Sequence, residues 1–487
     1  MAILSIDAGT TGVTALVVDS GGNIISRGYR EFEQYFPQPG WVEHEPEEIW
    51  QATLAAISQA LSGTEESIEC LGITNQRETA VIWNRKDLSS PTRAIVWQDR
   101  RTSNLTEEIQ DLNKGDWIRI RTGLNLDPYF TSSKFLWWKR NYPELWADLE
   151  AGKYALGTID SYLVARLSGG QYHITDMSNA SRTQLMDIRS GEWDSELCEA
   201  FEVPIAALPK ITSSWGKLAK TEPSHFLGLE LEITGIAGDQ QAALFGQTGF
   251  DAGATKCTYG TGAFVLTNTG SQIVESSNGL LSTVAWQSPE GEICYALEGS
   301  VFVAGAAVQW LRDGLGIISS ASEIEELAAS VPDSQGVCFV PALTGLGAPY
   351  WDATSKGTIT GITRGTTRGH IARATLEAIA LQVMDLTRAI EADSGQKVPE
   401  LRVDGGASVN NLLLQIQADL LGIPIIRGQT VETTGLGAAF LAGLGMGIWT
   451  SKSLLGQALH AQRTFRPVEF DPELVERWTK AVRASLI

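Results

Sequence analysis

The stretch Gly235–Gln247, GIAGDQQAALFGQ, lies where the chain changes from one periodicity to another. Upstream, Leu229–Ile233 alternates apolar and acidic residues, the two-residue period of a half-buried strand. Gly235 and Gly238 break that pattern, and Gln240–Gln247 continues with helix formers at a 3.6-residue apolar spacing. Asp239 is therefore predicted at a strand-to-helix junction, where an α/β sheet presents side chains to a ligand crevice. Read alone, Asp239 also fits a helix N-cap, accepting from the first unpaired backbone N–H groups. What favours a site is its company: two Gly-Thr turns and one Arg-Glu turn elsewhere suit a nucleotide and a polyol.

Outward from this stretch, a pattern occurs twice. Ala2–Ile6 reads as a buried strand, Asp7–Gly12 (DAGTTG) as a turn, Val13–Val18 as a strand, SGGN as a second turn and Ile24–Tyr29 as a third strand. Pro46, followed by Glu47 and Glu48, opens a helix whose apolar face runs from Ile49 to Leu61. Strand Cys70–Thr74, the turn Asn75-Gln76-Arg77-Glu78 and strand Thr79–Trp83 follow, then a tryptophan-rich tract to about Lys210 that reads as an inserted lobe. After Gln247 come strand Lys256–Tyr259, the turn Gly260–Gly262 (GTG), strand Ala263–Thr267, and strands Leu281–Trp286 and Ile293–Leu297. Helices are predicted over Val301–Leu311, Arg368–Glu391, Val409–Leu421 and Gly435–Leu444, before a polar C-terminal tail. The repetition predicts an α/β protein of two similar domains, residues 1–246 and 247–487, with a cleft between them.

Composition narrows the function classes. A net charge of −20 disfavours nucleic acid and anionic membranes as partners. The five cysteines (Cys70, Cys198, Cys257, Cys294, Cys338) form no CxxC, and the histidines (His44, His173, His225, His370, His460) are scattered, so neither a disulfide framework nor a zinc site is indicated. The longest apolar stretch, Ala438–Trp449, is too short to span a bilayer, and a cytoplasmic location is expected.

No GxxxxGK[ST] motif is present, so the phosphate site must be of another kind. The Gly-Thr turns are the candidates: glycine lets backbone N–H groups converge on an anion, and threonine hydroxyls add uncharged donors. Asp7 heads the first turn as a hard oxygen ligand for Mg²⁺. Gly405-Gly406-Ala407 would let a nucleotide lie against backbone at a helix N-terminus. Arg77 and Glu78 together offer a fork of donors and a strong acceptor, which can bracket a diol. Trp97 and Phe264 could wall its C–H face.

With these residues in view, the chain resembles the glycerol kinases, within the FGGY sugar-kinase superfamily and the wider actin-like ATPase fold. The resemblance runs from Ile3 to about Trp449 and includes GWVEHEPEEIW (Gly40–Trp50), GITNQRET (Gly72–Thr79), WQDRRT (Trp97–Thr102), NASRT (Asn179–Thr183), TYGTGAF (Thr258–Phe264), AGAAVQWLRD (Ala304–Asp313), LTGLGAPYWD (Leu343–Asp352), GITRGTTRGH (Gly361–His370) and DGGASVNN (Asp404–Asn411). The combination of NQRE with GDQQAALFGQ is specific to glycerol kinases within that superfamily. The resemblance implies two actin-like (ribonuclease H-like) domains around a catalytic cleft. It implies Arg77, Glu78, Tyr129, Asp239 and Gln240 on the glycerol hydroxyls, with Trp97 and Phe264 on its carbons. Asp239 would be the general base, and Asp7 with Asp239 would position Mg²⁺. Thr10, Thr11, Gly12, Thr261, Gly305, Gln309, Gly406 and Asn410 would contact ATP or ADP. The product would be sn-glycerol 3-phosphate, and the assembly a homodimer or homotetramer.

Departures from the family pattern are Ala8 and Thr14, where a glutamine and an arginine are usual, and Glu230, where enteric-type enzymes carry an arginine for fructose 1,6-bisphosphate. His225 falls where some Gram-positive relatives carry a phosphorylated histidine, and reads here as an exposed loop residue. Two rivals remain at this point: a kinase for another polyol or sugar, and a catalytically weak nucleotide-binding regulator.

Overall fold

The computed structural model describes residues 1–352, 354–455 and 461–486. Two large sheets organise the chain. The first contains β1 (Ala2–Ala8), β2 (Gly12–Asp19), β3 (Ile24–Glu31), β4 (Ile68–Asn75), β5 (Trp215–Lys220) and β6 (Glu232–Gly238), in the order β5-β6-β4-β1-β2-β3. The second contains β7 (Thr255–Tyr259), β8 (Ala263–Gly270), β9 (Leu281–Gln287), β10 (Ile293–Val301), β11 (Leu401–Asp404), β12 (Ile425–Gly428) and β13 (Ala461–Phe465), in the order β9-β10-β8-β7-β11-β12-β13. Reversed, the second order reads like the first with β9 added outside. An antiparallel edge, two parallel strands, then an antiparallel meander occur in both.

Register decides where the functional turns emerge. In the first sheet Ala8 and Gly238 both lie beside Asn75, so β1, β4 and β6 end in one row. The Gly9–Thr11 turn, the Gln76–Glu78 turn and Asp239 therefore leave the sheet at the same edge, the C-terminal edge at which α/β sheets bind ligands. In the second sheet Thr258 lies beside Asp404, which brings the GTG turn next to Gly405-Gly406.

The helices that matter are α1 (Pro46–Ser62), α2 (Thr131–Asn141), α3 (Met177–Ala180), α4 (Asp239–Gly246), α5 (Gly305–Asp313), α6 (Arg368–Ser394), α7 (Asn411–Leu421), α8 (Thr433–Met446) and α9 (Pro472–Ser485). α1 begins with Pro46, Glu47 and Glu48, ends at Gly63, and buries Ile49, Trp50, Ala52, Ala56, Ile57 and Ala60 against the first sheet. α8 is apolar on nearly all sides because protein surrounds it. It leaves the second sheet, crosses α4 and packs on β6, β4 and β1 of the first. Its glycines permit that approach: a Cβ on Gly437 would strike the Ala242 carbonyl of α4, and one on Gly445 the Thr234 carbonyl of β6.

Several sequence expectations shift. The strand before Asp239 is Glu232–Gly238 rather than Leu229–Ile233, and Gly235 lies within it. The α8 backbone at Leu441 and Ala442 stands where a Cβ of residue 235 would be, so the glycine marks a packing contact and not a break. The helix expected from Val301 starts at Gly305, since Val301 pairs with Ala263 as the last residue of β10. The one expected from Val409 starts at Asn411, behind a 3-10 turn over Gly406–Val409. Ile293–Val301, not Leu281–Gln287, takes the third place of the second meander. The polar tail is structured: it supplies β13 and α9, with Trp478 buried and donating Nε1 to Asp385 Oδ2 at 2.6 Å. His460 lies outside the described residues.

The tract before Lys210 has its own apolar core, including Phe135, Trp138, Trp146, Leu156 and Phe201. All five cysteines are free, and among the described residues no helix is long and apolar enough to cross a membrane.

Candidate active site

Asp239 is the first residue of α4; the cap position is Gly238, in extended conformation. Its side chain is 29% exposed, with Oδ1 accepting from the Gln240 backbone N–H at 2.7 Å and facing Arg77 Nε at 3.1 Å. The N-cap reading is thus replaced by a carboxylate at a helix N-terminus, held from one side by an arginine.

Arg77 is buried, and its guanidinium lies among carboxylates and polar side chains. Nη1 and Nη2 grip Glu298 Oε2 and Oε1 at 2.5 and 3.0 Å, and Nη1 also donates to Gln241 Oε1 at 3.3 Å. Tyr129 Oη is 3.5 Å from Nη2. Glu78 has φ +60°, a conformation that a non-glycine residue holds only when its surroundings fix it. Arg182 Nε on its carboxylate at 2.6 Å and Thr131 Oγ1 on its carbonyl at 3.1 Å do so. Arg182 Nη2 then closes the circuit on Glu298 Oε1 at 3.0 Å. Two guanidiniums and two carboxylates therefore share one buried network, and Glu298 comes from β10 of the second sheet. Burial pushes the Glu298 carboxyl up, but Arg182 and Arg77 prevail and hold it at about 2. For Glu78 burial prevails over the same two arginines and the carboxyl is raised. Burial likewise raises the Tyr129 phenol, which stays a neutral donor and acceptor.

Above this polar floor stands an aromatic wall. Trp97 meets Tyr129 edge-on at 5.6 Å and Phe264 at 6.1 Å between ring centroids. Trp97 also donates Nε1 to Thr10 Oγ1 at 3.0 Å, so the wall is tied to the first Gly-Thr turn. Gln76 adds a second tie, donating Nε2 to the Gly9 carbonyl at 3.0 Å. Gln240 is buried, and Lys256 Nζ donates to its side-chain oxygen while also reaching Thr258 Oγ1 at 2.9 Å. A lysine can only donate, so the Gln240 amide nitrogen is the end left for the cleft.

The two Gly-Thr turns are closed alike, by Gly9 N–H on Gly12 O at 3.0 Å and Gly260 N–H on Gly262 O at 2.8 Å. Gly12 is required because the Tyr29 hydroxyl and Arg30 carbonyl occupy the place of a Cβ. Thr261 and Gly305 are sewn together: Gly305 N–H donates to Gly260 O at 3.0 Å, and Ala304 and Ala306 donate to Thr261 O at 2.9 and 3.0 Å. Gln309 is exposed on α5. Gly406 is exposed with no atom within 4 Å of its Cβ direction, an open floor, and Asn410 caps α7 by accepting from Leu413 N–H at 2.8 Å. Thr10, Thr11 and Thr261 are half-buried or exposed at the tips of their turns.

Asp7 and Asp239 lie close enough to repel. Burial, then the Asp239 and Glu432 carboxylates, push Asp7 up to about 8. A hard divalent cation held by both would relieve that repulsion, and two carboxylates with room for water and phosphate oxygens suit Mg²⁺. Among the described residues no cluster of three or more His, Cys, Asp or Glu forms a closed metal cage. His225 is exposed, and Glu230 pairs with Lys220.

Sequence reasoning missed Glu298, Arg182 and Lys256. Arg182 lies inside NASRT, and Glu298 is a lone carboxylate in the apolar run YALEGSVFV, which is the signal that could have marked it.

Comparison with known proteins shows the family. The model for the FGGY family of carbohydrate kinases, N-terminal domain, matches residues 2–246, and that for the C-terminal domain matches residues 255–446. A glycerol kinase of Citrifermentans bemidjiense is 51% identical, covering 99% of this chain and 98% of that protein. One of Deinococcus radiodurans is 50% identical over 99% and 96%. The crystal structure of Plasmodium falciparum glycerol kinase with ADP superimposes with a TM-score of 0.92 at 36% identity, covering 100% of this chain and 98% of that one. With both halves matched by the family models and a glycerol kinase 51% identical over almost the whole chain, the chain belongs to the FGGY family of carbohydrate kinases, among its glycerol kinases.

Proposed function

We propose that the protein transfers the γ-phosphoryl group of Mg-ATP to glycerol, giving sn-glycerol 3-phosphate and ADP. The observation that carries this reading is the placement of Arg77 between Asp239 and the Glu298–Arg182–Glu78 network, beneath the Trp97–Tyr129–Phe264 wall. Such a pocket offers both donors and acceptors to adjacent hydroxyls and an apolar face to their carbons.

Arg77, Gln240 and Tyr129 donate to the glycerol oxygens, and Glu78 accepts from a hydroxyl. Asp239 accepts the proton of the terminal hydroxyl as its oxygen forms a bond to the γ-phosphorus and the bond from phosphorus to the ADP oxygen breaks. Backbone N–H groups and hydroxyls of Thr10, Thr11, Gly12 and Thr261 cradle the phosphates, while Gly305, Gln309, Gly406 and Asn410 hold the rest of the nucleotide. Asp7 and Asp239 would hold Mg²⁺, which would supply positive charge to offset that of the phosphates. Because Glu298, Lys256 and Phe264 come from the second sheet, closing the cleft completes the pocket and excludes water, which limits wasteful hydrolysis of ATP. Association into a homodimer or homotetramer belongs to the same reading.

The test is ADP release by the purified protein with Mg-ATP and, in turn, no acceptor, glycerol, xylitol, ribitol or D-xylulose. A large stimulation by glycerol alone is expected. Stimulation by a larger polyol would keep the base and replace the substrate; no stimulation by any acceptor, with ATP still bound, would favour a regulatory protein.

A further inference from the structure

The short helix α3 has no part in substrate contact, yet its residues bond both to Asn75, at the start of the NQRE turn, and to Gly238, at the end of β6. It follows Asp176, which is fully buried and receives five hydrogen bonds: from the Ser178 N–H (2.9 Å) and Oγ (2.9 Å), the Asn179 N–H (2.9 Å) and Nδ2 (2.9 Å), and Ser214 Oγ (2.8 Å). Asn179 exchanges reciprocal amide bonds of 3.0 and 3.1 Å with Asn75, where the NQRE turn begins. Ser178, also fully buried, accepts the backbone N–H of Gly238 at 2.9 Å. Gly238 is the residue before the proposed base.

The direction of these bonds is fixed by chemistry. A serine hydroxyl has one hydrogen, and Ser178 gives it to the Asp176 carboxylate, so its lone pairs remain for an incoming donor. The Gly238 N–H needs one. On that side of β6 the ladder with β5 has already run out, its last bond being Ile236 N–H to the Ser214 carbonyl at 2.9 Å. Ser178 Oγ thus replaces the missing strand at the point where β6 turns into α4. Without it, a buried N–H would be left unpaired.

We propose that Ser178, oriented by Asp176, is a positioning residue for phosphoryl transfer: it pins the end of β6 and thereby aims the Asp239 carboxylate at the attacking hydroxyl. This rests on Asp239 being the base. A displacement of that carboxylate by an ångström or so costs transition-state geometry and leaves the polyol contacts of Arg77 and Glu78, held from Arg182 and Glu298, in place.

The experiment compares kcat and KM for glycerol and for ATP in the full-length wild type, Ser178→Ala, Ser178→Cys and Ser214→Ala. Ser214→Ala is the control, because it removes a bond from the same carboxylate, together with the one Ser214 Oγ accepts from the Gln287 N–H, without touching Gly238. Ser178→Ala is expected to lower kcat about 10- to 100-fold with both KM values within about threefold, while Ser214→Ala keeps kcat within about threefold. Should Ser178→Ala not fold, Ser178→Cys, which nearly keeps the volume and weakens the acceptor, is expected to lose at least about threefold in kcat. A Ser178 variant with wild-type kcat, or equal losses in Ser178→Ala and Ser214→Ala, overturns the positioning role while leaving the glycerol kinase reading intact. Absence of glycerol-stimulated turnover in the wild type overturns both.

Discussion

In the first sheet, Asp7 stands two residues before the glycine that opens the hairpin and pairs across the ladder with Thr14; in the second sheet Thr258 stands there and pairs with Phe264. Beyond these, the paired strand ends in Asn75 followed by the polyol turn on one side, and in Asp404 followed by two glycines on the other. The same backbone device has been given opposite chemistry. The first copy carries the carboxylate and is braced by Gln76 and Trp97. The second carries hydroxyls, an aromatic ring for the wall and an unencumbered floor. Two similarly placed Gly-Thr turns thus present different side chains, with a carboxylate two residues ahead of the first and a hydroxyl two residues ahead of the second.

That division is tested most severely at Asp239. Asp239→Asn keeps an acceptor for Arg77 and removes the basic group, and should reduce kcat about 10³- to 10⁴-fold while ATP binding, measured by titration calorimetry, stays largely intact. Turnover near that of the wild type would put the base elsewhere. Next comes the ion network that spans the two sheets. Glu298→Gln leaves two buried guanidiniums facing Glu78 and the partly exposed Asp239 and should cost about 3 kcal/mol in denaturant unfolding. A loss below about 1 kcal/mol would mean that the network is not what joins the halves at the pocket.

The bracing of the first hairpin also involves a buried histidine. His44 lies behind Gln76, its Nδ1 3.3 Å from the Gln76 amide nitrogen, and burial lowers it to about 4. Its unfolded counterpart takes a proton at about 6.5, so the stabilisation is complete above that pH and is lost as the pH falls towards 4. The loss is on the order of 3 kcal/mol at most. A shallower fall of Tm between pH 6.5 and 4 in His44→Gln is the expected outcome; an unchanged slope would assign the acid lability to other groups. The smallest effect concerns Thr14. Thr14→Arg adds a cation beside Asp7 and is expected to lower KM for ATP about fivefold, on the order of 1 kcal/mol, without changing the polyol preference. An unchanged KM would indicate that another cation already serves; Arg27, two residues from Tyr29 on β3 and paired with Glu432 at 2.7 Å, would then be the first to examine.

What could be read from the sequence follows the range of the interactions. The hairpins, the NQRE turn and the Asp239 junction are local, made of glycine, threonine and charge at fixed offsets, and the chain declares them directly. Arg182 and Glu298 acquire meaning only through Glu78, 104 residues from Arg182, and Arg77, 221 residues from Glu298. No periodicity carries that information. Gly235 misled for a related reason: a glycine inside a strand looks like a break until the backbone lying against it, here that of α8, is known. α5 starts later than the apolar pattern predicts because Val301 is as apolar as a helix residue, and only its pairing with Ala263 marks it as strand.

The crossing of α4 and α8 bears on how the chain comes into being. The first sheet is covered on one face by a helix encoded near the far end of the chain, lying backbone-to-backbone against α4 and β6. During synthesis Gly246 emerges from the ribosome well before Thr433, by roughly ten to forty seconds at ordinary elongation rates. Throughout that interval the nascent first half lacks the α8 residues Leu436, Ala439 and Phe440 that share an apolar cluster with Ile3, Leu16 and Val18, although α4 supplies Ala242, Leu244 and Phe245 to the same cluster. The packing of that sheet face is therefore completed only after the second half has been made, and until then it is the surface that a holding chaperone would cover.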